Sequence, residues 1–372
     1  MVSICLFLKN GASSTAQPRS VRSAKTSLPG RANSAKNSSS FIPDAPAETG
    51  FEYPETPAAR SRWIVERRGP KNSLDPNRPY AWLLEKERDA DGRLVDGLTI
   101  FLTNRECPWR CLMCDLWRNT LDETVPAGAI AGQIDFSLGQ AERECGGLAK
   151  LRQVKLYNAG SFFDAQAIPE AEDAAIASCL AKFDRVIVET HPALVGERCL
   201  QFRNRINGRL EVALGLETIH PEALEKLNKR VTLGQFRDAA EFIMRNDMAL
   251  RAFVLLQPPF IPAGESVEWA KRSIDFSQDC GASVTALIPT RTGNGAMDRL
   301  AAAGKFTEPT LGQLEEAMDY SVGQARGRVF ADLWDLDRFS SCPACFPKRR
   351  DRLAKQNDTQ QVPAPVSCQS CR

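Results

Sequence analysis

From residue 94 onward, short apolar runs alternate with longer stretches whose apolar positions recur at helical spacing. Runs rich in β-branched residues stand at 94–103, 151–157, 185–189, 210–217, 250–257, 283–288 and 328–333. Near-continuous hydrophobicity over so few residues marks a parallel strand buried on both faces. Between these runs, 171–182, 197–205, 221–229, 233–245, 266–278 and 311–324 read as helices. Pro258-Pro259 and Pro289 stop the strands before them. A weakly alternating run at 80–87 meets 94–103 across Asp91-Gly92, a strong hairpin-turn signal. Strands alternating with helices predict an α/β fold, a parallel sheet with helices outside. Six or seven such units over about 240 residues suit a partial, (βα)6-type TIM-like barrel better than a closed eightfold one. On such a barrel the C-terminal ends of the strands form the active face.

The pattern also divides the chain. Residues 1–50 are expected to be a disordered tail, because 1–43 hold ten serines, six basic residues and no acid, a composition unable to bury a core. Its Arg- and Ser-rich character resembles an organellar transit peptide, and its apolar run at 4–8 is too short for a secretory signal. A cytoplasmic address is expected, with organellar import as the alternative. Residues 51–94 form an extension ending in the hairpin, 95–340 the barrel, and 341–372 a small cysteine-bearing segment. A net charge of +2 argues against a surface coated by polyanion. No apolar run reaches the ~18–20 residues of a membrane span, so no membrane partner is expected.

Cysteine spacing changes the picture most. Cys107, Cys111 and Cys114 fall in C-x3-C-x2-C order directly after the run at 94–103. Three thiolates on one loop can hold three irons of a [4Fe–4S] cube and leave the fourth without a protein ligand. An open coordination position separates a chemical centre from a structural one. Zinc normally takes a fourth Cys or His, and the only histidines, His191 and His220, lie far along the chain. A second group, Cys342, Cys345, Cys368 and Cys371, forms two C-x2-C knuckles separated by 22 residues. Four thiolates so paired are the ligand set of a structural zinc, with a second iron–sulfur cluster as the alternative. Seven of twelve cysteines are grouped in this way, which points to metal binding in a reducing compartment. The basic run Lys348-Arg349-Arg350-Asp351-Arg352 between the knuckles reads either as a phosphate-holding tail or as a solvated helix face.

The cysteine spacing, with Cys-Pro-Trp-Arg-Cys-Leu-Met-Cys, Gly-Ser-Phe-Phe-Asp at 160–164 and Cys-Pro-Ala-Cys-Phe-Pro at 342–347, resembles the radical S-adenosylmethionine (SAM) superfamily. Within it the chain is most similar to the Elongator/MiaB/NifB-like branch and to proteins of the kind of the archaeosine synthase radical subunit. The resemblance implies that SAM chelates the open iron and is cleaved reductively. It places Ala159 and Gly160 where backbone carbonyls meet the SAM amino group. The Gly-x-Glu … Asn-Lys pattern puts Glu217 near the ribose hydroxyls and Lys229 near the SAM carboxylate, while Met113 packs beside the adenine. No catalytic side chain is implied beyond the cluster ligands. A flavodoxin- or ferredoxin-like electron donor is implied as partner, with a modified tRNA nucleoside as substrate and C–N lyase chemistry on it. Two alternatives are a methylthiotransferase with a second, sacrificial cluster and a metal-binding protein without catalysis. From the residues alone, Lys229 can equally pair with Glu225 on a helix surface.

Overall fold

A computed structural model describes residues 51–371. The expected disordered tail at 1–50 lies outside the described residues. Eight strands form one sheet in sequential order. They are β1 (Ala81–Arg88), β2 (Leu94–Leu102), β3 (Leu151–Asn158), β4 (Arg185–Thr190), β5 (Arg209–Glu217), β6 (Ala249–Leu256), β7 (Ala282–Pro289) and β8 (Arg328–Ala331). β1 and β2 pair antiparallel across the Asp91-Gly92 turn, and β2 to β8 are parallel throughout. The order ends at β1 and β8, so the sheet is an open half-barrel, as the spacing predicts.

Ten helices accompany the described strands: α1 (Pro57–Val65), α2 (Ala129–Cys145), α3 (Asp173–Cys179), α4 (Glu197–Arg203), α5 (Pro221–Lys226), α6 (Leu233–Arg245), α7 (Ser266–Asp279), α8 (Ala296–Ala302), α9 (Leu311–Gly323) and α10 (Phe346–Thr359). The apolar faces of α2, α6, α7 and α9 pack on the outer surface of the sheet, where Leu98, Val154, Val186, Val212, Leu250 and Leu314 are fully buried. Among the described residues no helix is long and apolar enough to cross a membrane.

The concave face is polar at its base. Lys155 of β3 pairs with Glu87 at 2.7 Å and Glu85 at 2.9 Å. Arg251 of β6 holds Glu87 at 2.6 Å and Glu211 at 2.5 Å. Burial opposes ionisation of Glu87, but Arg251 and Lys155 outweigh it and hold the carboxyl well below its usual range. Buried charges persist only when partnered in this way. Above this layer Tyr157 meets Phe101 tilted and Phe253 edge on, with centroids 6.1 and 6.2 Å apart, and the three rings floor the upper half of the barrel.

Helix α10 closes the sheet laterally. It packs on both β1 and β8, the two ends of the strand order. The Asn357 amide accepts from the Ala331 N–H at 2.8 Å and donates to the Ala331 carbonyl at 2.9 Å. Gln360, three residues on, does the same to Val329 at 2.8 and 2.9 Å. Two side-chain amides thus stand in for a ninth strand, leaving no bare pairing edge at β8 for another chain.

Candidate metal and cofactor site

The three N-terminal cysteines lie at the C-terminal mouth of the half-barrel, on the loop that follows β2. Side chains and backbone from distant segments fix this loop. The Leu112 N–H donates to the Leu227 carbonyl at 2.9 Å. Asn228 Nδ2 donates to the Arg110 carbonyl at 2.8 Å. Asn294 Nδ2 donates to the carbonyls of Leu112 at 2.7 Å and Cys114 at 3.1 Å. Beside Cys107, Glu106 is held by Arg68 at 2.7 Å and Lys71 at 2.8 Å from the segment after α1. The Gly-rich turn at 293–295 therefore serves to grip the cysteine loop. Gly295 is required there, since a Cβ would stand 1.8 Å from the Arg67 carbonyl oxygen.

Cys107, Cys111 and Cys114 open into one cleft with Trp109, Ala159, Gly160, Glu189, Glu217 and Lys229 on its walls. Gly160 belongs to the cradle, since a Cβ there would sit 3.2 Å from Cys107 Cβ. Ala159 is buried at the same turn. Burial pushes each of the three thiols up to about 12, so they stay protonated until a cation draws the charge out.

Glu217 and Lys229 meet across the cleft, Nζ to Oε1 at 2.5 Å, each more than nine-tenths buried. The pair is built by strain and by missing side chains. Glu217 ends β5 at φ 67, after a register shift that begins at Gly215. A Cβ on Gly215 would fall 1.9 Å from Lys229 Nζ. Burial opposes the Lys229 charge, but Glu217 outweighs it and raises the ammonium's pKa. The surface pairing of Lys229 with Glu225 does not form, because the helix expected over 221–229 ends at Lys226. Asn228 and Arg230 take left-handed φ values of 55 and 60, which turn Lys229 inward. Glu225 pairs with Arg60 instead, at 2.9 Å.

Met113 lines an adjoining cleft with Asp115, Leu255, Ile288 and Thr290, and Glu217 is common to both clefts. Arg291 lines the same adjoining cleft and pairs with Asp332 at 2.9 Å, Gln257 donates to Thr307, and Arg251 lies deep in the ionic layer.

Two further groups line the same cleft. Glu189, at the end of β4, accepts from the Asn158 N–H at 2.7 Å, and burial, reinforced by the Glu217 charge, pushes its carboxyl up to about 7. A carboxyl whose pKa is higher folded than unfolded binds its proton more tightly in the folded chain. Its contribution to stability is full in acid and is lost as pH rises through about 7. Glu189→Gln should therefore melt like the wild type at pH 5. At pH 8 it should be more stable by roughly 2–3 kcal/mol in urea titrations of the metal-free chain. The second group is His191, whose ring stacks on Trp109 between the cysteines.

The four C-terminal thiols converge as a separate centre, with all sulfurs within 4.8 Å of one another. Cys342 and Cys368 are 3.9 Å apart and Cys345 and Cys371 3.6 Å. A tetrahedral ion at Zn–S ≈ 2.3 Å spaces its sulfurs in this way, whereas thiolates on the corners of an iron–sulfur cube stand further apart. Of the basic run between the knuckles, Arg349 binds Glu315 and Arg352 binds Asp319 on α9, so much of its charge is spent docking α10.

No family model matches the chain. An uncharacterised protein of Methanocaldococcus jannaschii is 25% identical over 232 residues, 60% of this chain and 63% of that protein. Archaeosine synthase subunit beta of Methanosarcina acetivorans is 26% identical over 240 residues, 60% of this chain and 68% of the relative. The match thus spans a little under two thirds of the first relative and slightly more of the second. Solved structures that align include methylornithine synthase, 12% identical with a TM-score of 0.44 over 73% of this chain and 68% of that one. Another is coproporphyrinogen III oxidase of Escherichia coli, described as a radical SAM enzyme, 11% identical with a TM-score of 0.41 over 75% and 58%. The chain resembles the radical SAM enzymes.

Proposed function

We propose that this chain is a radical SAM enzyme, with a [4Fe–4S] cluster on Cys107, Cys111 and Cys114 and SAM in the cleft beside it. The observation that carries the reading is the single cleft in which three thiols on one loop face a buried carboxylate–ammonium pair. The donor set fits: of the histidines only His191 lines the cleft, and both its ring nitrogens are already hydrogen-bonded, so the three thiols leave one iron open among the described residues. Both side-chain polar atoms of Asn158 at the end of β3 and Thr190 Oγ1 at the end of β4 are buried without partners. When bound, the cluster supplies the electron that splits SAM into methionine and a 5′-deoxyadenosyl radical. The chain's part is to bind and orient. Lys229 offers an ammonium to the SAM carboxylate, and Glu217 accepts from ribose hydroxyls once Lys229 shares its charge with the ligand. Ala159 and Gly160 present backbone carbonyls to the amino group. Met113 borders the adjoining cleft, where it suits the adenine ring. The phenyl and phenol rings of Phe101, Tyr157 and Phe253 exclude water from below.

Similarity to archaeosine synthase subunit beta supports a modified tRNA nucleoside as substrate and C–N bond cleavage as reaction, with a flavodoxin- or ferredoxin-like protein as electron donor. The spacing of the C-terminal thiols supports a zinc there and speaks against the second cluster that sulfur insertion needs. Anaerobic reconstitution with iron and sulfide, metal analysis and a dithionite-driven SAM cleavage assay on one sample test this reading. About four irons and one zinc per chain with release of 5′-deoxyadenosine are expected. A filled cluster without SAM cleavage would refute it.

A further inference from the structure

Two of the elements that build the cleft, the cysteine loop and the turn carrying Lys229, are both touched by one side chain that ligates nothing. His191 follows β4, is 5% exposed, and is fixed by its own backbone, whose N–H donates to Ser161 Oγ at 2.9 Å. Its Nδ1 accepts from the Ala193 N–H at 3.1 Å. The ring proton of the neutral imidazole therefore sits on Nε2, which stands 3.0 Å from the Lys229 carbonyl and donates to it. Burial and the neighbouring Lys229 ammonium push the imidazole down to about 4, which keeps that tautomer in place at neutral pH. The face of the ring lies on Trp109 at 3.9 Å with the planes 7° apart. Trp109 stands between Cys107 and Cys111, so the stack fixes the middle of the cysteine loop.

We propose that His191 is a positioning residue that sets the cysteine loop and the Lys229 turn at one fixed separation, acting through Trp109 on one side and the Lys229 carbonyl on the other. The two elements already touch, through the Leu112 N–H to the Leu227 carbonyl and Asn228 Nδ2 to the Arg110 carbonyl. Those bonds run through Leu112, Arg110, Leu227 and Asn228. His191 adds a separate link on the wall of the cleft, which it lines together with Trp109 and Lys229, and so determines how far the Lys229 ammonium stands from the thiols. A shift of even about 1 Å in a positioning group is enough to spoil a bound geometry. The inference rests on the reading of the cleft as the SAM site for its consequence, but not for the brace itself.

Two full-length variants separate the two arms of the brace. His191→Phe keeps a ring for Trp109 and loses both ring hydrogen bonds, whereas His191→Asn keeps a cap for Ala193 and loses the stack. Amide exchange at Leu112 in the metal-free chain and SAM affinity of the reconstituted chain by equilibrium dialysis are the two measurements, with thermal melting as control. Both variants should melt within a few degrees of the wild type and take up iron to the same level. Leu112 exchange should quicken at least about tenfold and SAM affinity fall by at least about tenfold in each. Unchanged Leu112 exchange in both variants overturns the brace, whatever the wild type does with SAM. Faster exchange with SAM affinity intact overturns its link to the ligand. A wild-type chain that binds no SAM overturns the proposed function instead, and the exchange result alone then decides the brace.

Discussion

On the proposed reading, Cys111→Ala should leave a folded protein that holds no intact cluster and cleaves no SAM, and Cys107→Ala and Cys114→Ala should do the same. Each replacement leaves two thiols for a cube that already has one open corner, and two ligands do not retain it. The fold survives because the thiols contribute little to holding the loop. Leu112, Asn228 and Asn294 carry its hydrogen bonds, and Glu106 anchors it to Arg68 and Lys71. Cys111 is 7% exposed, so its truncation removes one buried sulfur and costs about 1 kcal/mol, a shift of roughly 2–4 °C in Tm. Iron content after anaerobic reconstitution, the 5′-deoxyadenosine formed with dithionite, and the melting curve are measured on one preparation. Wild-type SAM turnover in any of the three variants means that the cluster is not held by this loop. A collapsed melting curve would mean that the loop is structural.

The barrel was legible because its strands are buried on both faces. Continuous apolar runs ended by Pro259, Pro289 or a Gly turn leave few other readings. Helix α2 escaped the same reading. Its buried stripe contains Gln133 and Ser137, and Gln133 is fully buried because its amide bonds the Thr103 N–H and carbonyl at the root of the cysteine loop. A polar residue recruited to a local task breaks the apolar period that would have revealed the helix. The site divides in the same way. Three cysteines in close spacing announce themselves. The Glu217–Lys229 pair depends on left-handed backbone at Glu217, Asn228 and Arg230, residues whose composition gives no warning of positive φ. His191 was visible only as one of two histidines, far along the chain from the cysteines. Its partners, Trp109 and Lys229, lie 82 positions before it and 38 after, and periodicity cannot join them.

With an ion held by the C-terminal thiols as proposed, stripping it should release helix α10 from the sheet and expose the edge of β8. The knuckle Cys342–Cys345 immediately precedes α10, and the chain returns along it to bring Cys368 and Cys371 back to the same point. Arg352 assists by donating to the carbonyls of Pro363 at 2.7 Å and Ala364 at 3.0 Å. One ion there would close a loop around the helix whose Asn357 and Gln360 amides cap Val329 and Ala331. Without it, four thiols crowded within 4.8 Å have no cation between them, and the returning tail loses its anchor. Losing the four amide bonds to β8 costs on the order of 4 kcal/mol at about 1 kcal/mol each. Chelation, or Cys342→Ser with Cys345→Ser, should release one metal ion per chain and quicken amide exchange at Val329 and Ala331 by about a hundredfold or more, the equivalent of 3 kcal/mol. Exchange at Val154 and Val212, in the middle of the sheet, should stay slow. The freed edge is a template for pairing, so the metal-free protein should also associate with itself, and Asn357→Leu with Gln360→Leu should do so with the ion still bound. Val329 and Ala331 amides that stay protected after the metal has left would show that α10 holds the edge without the clasp. The ion would then serve only its own tail.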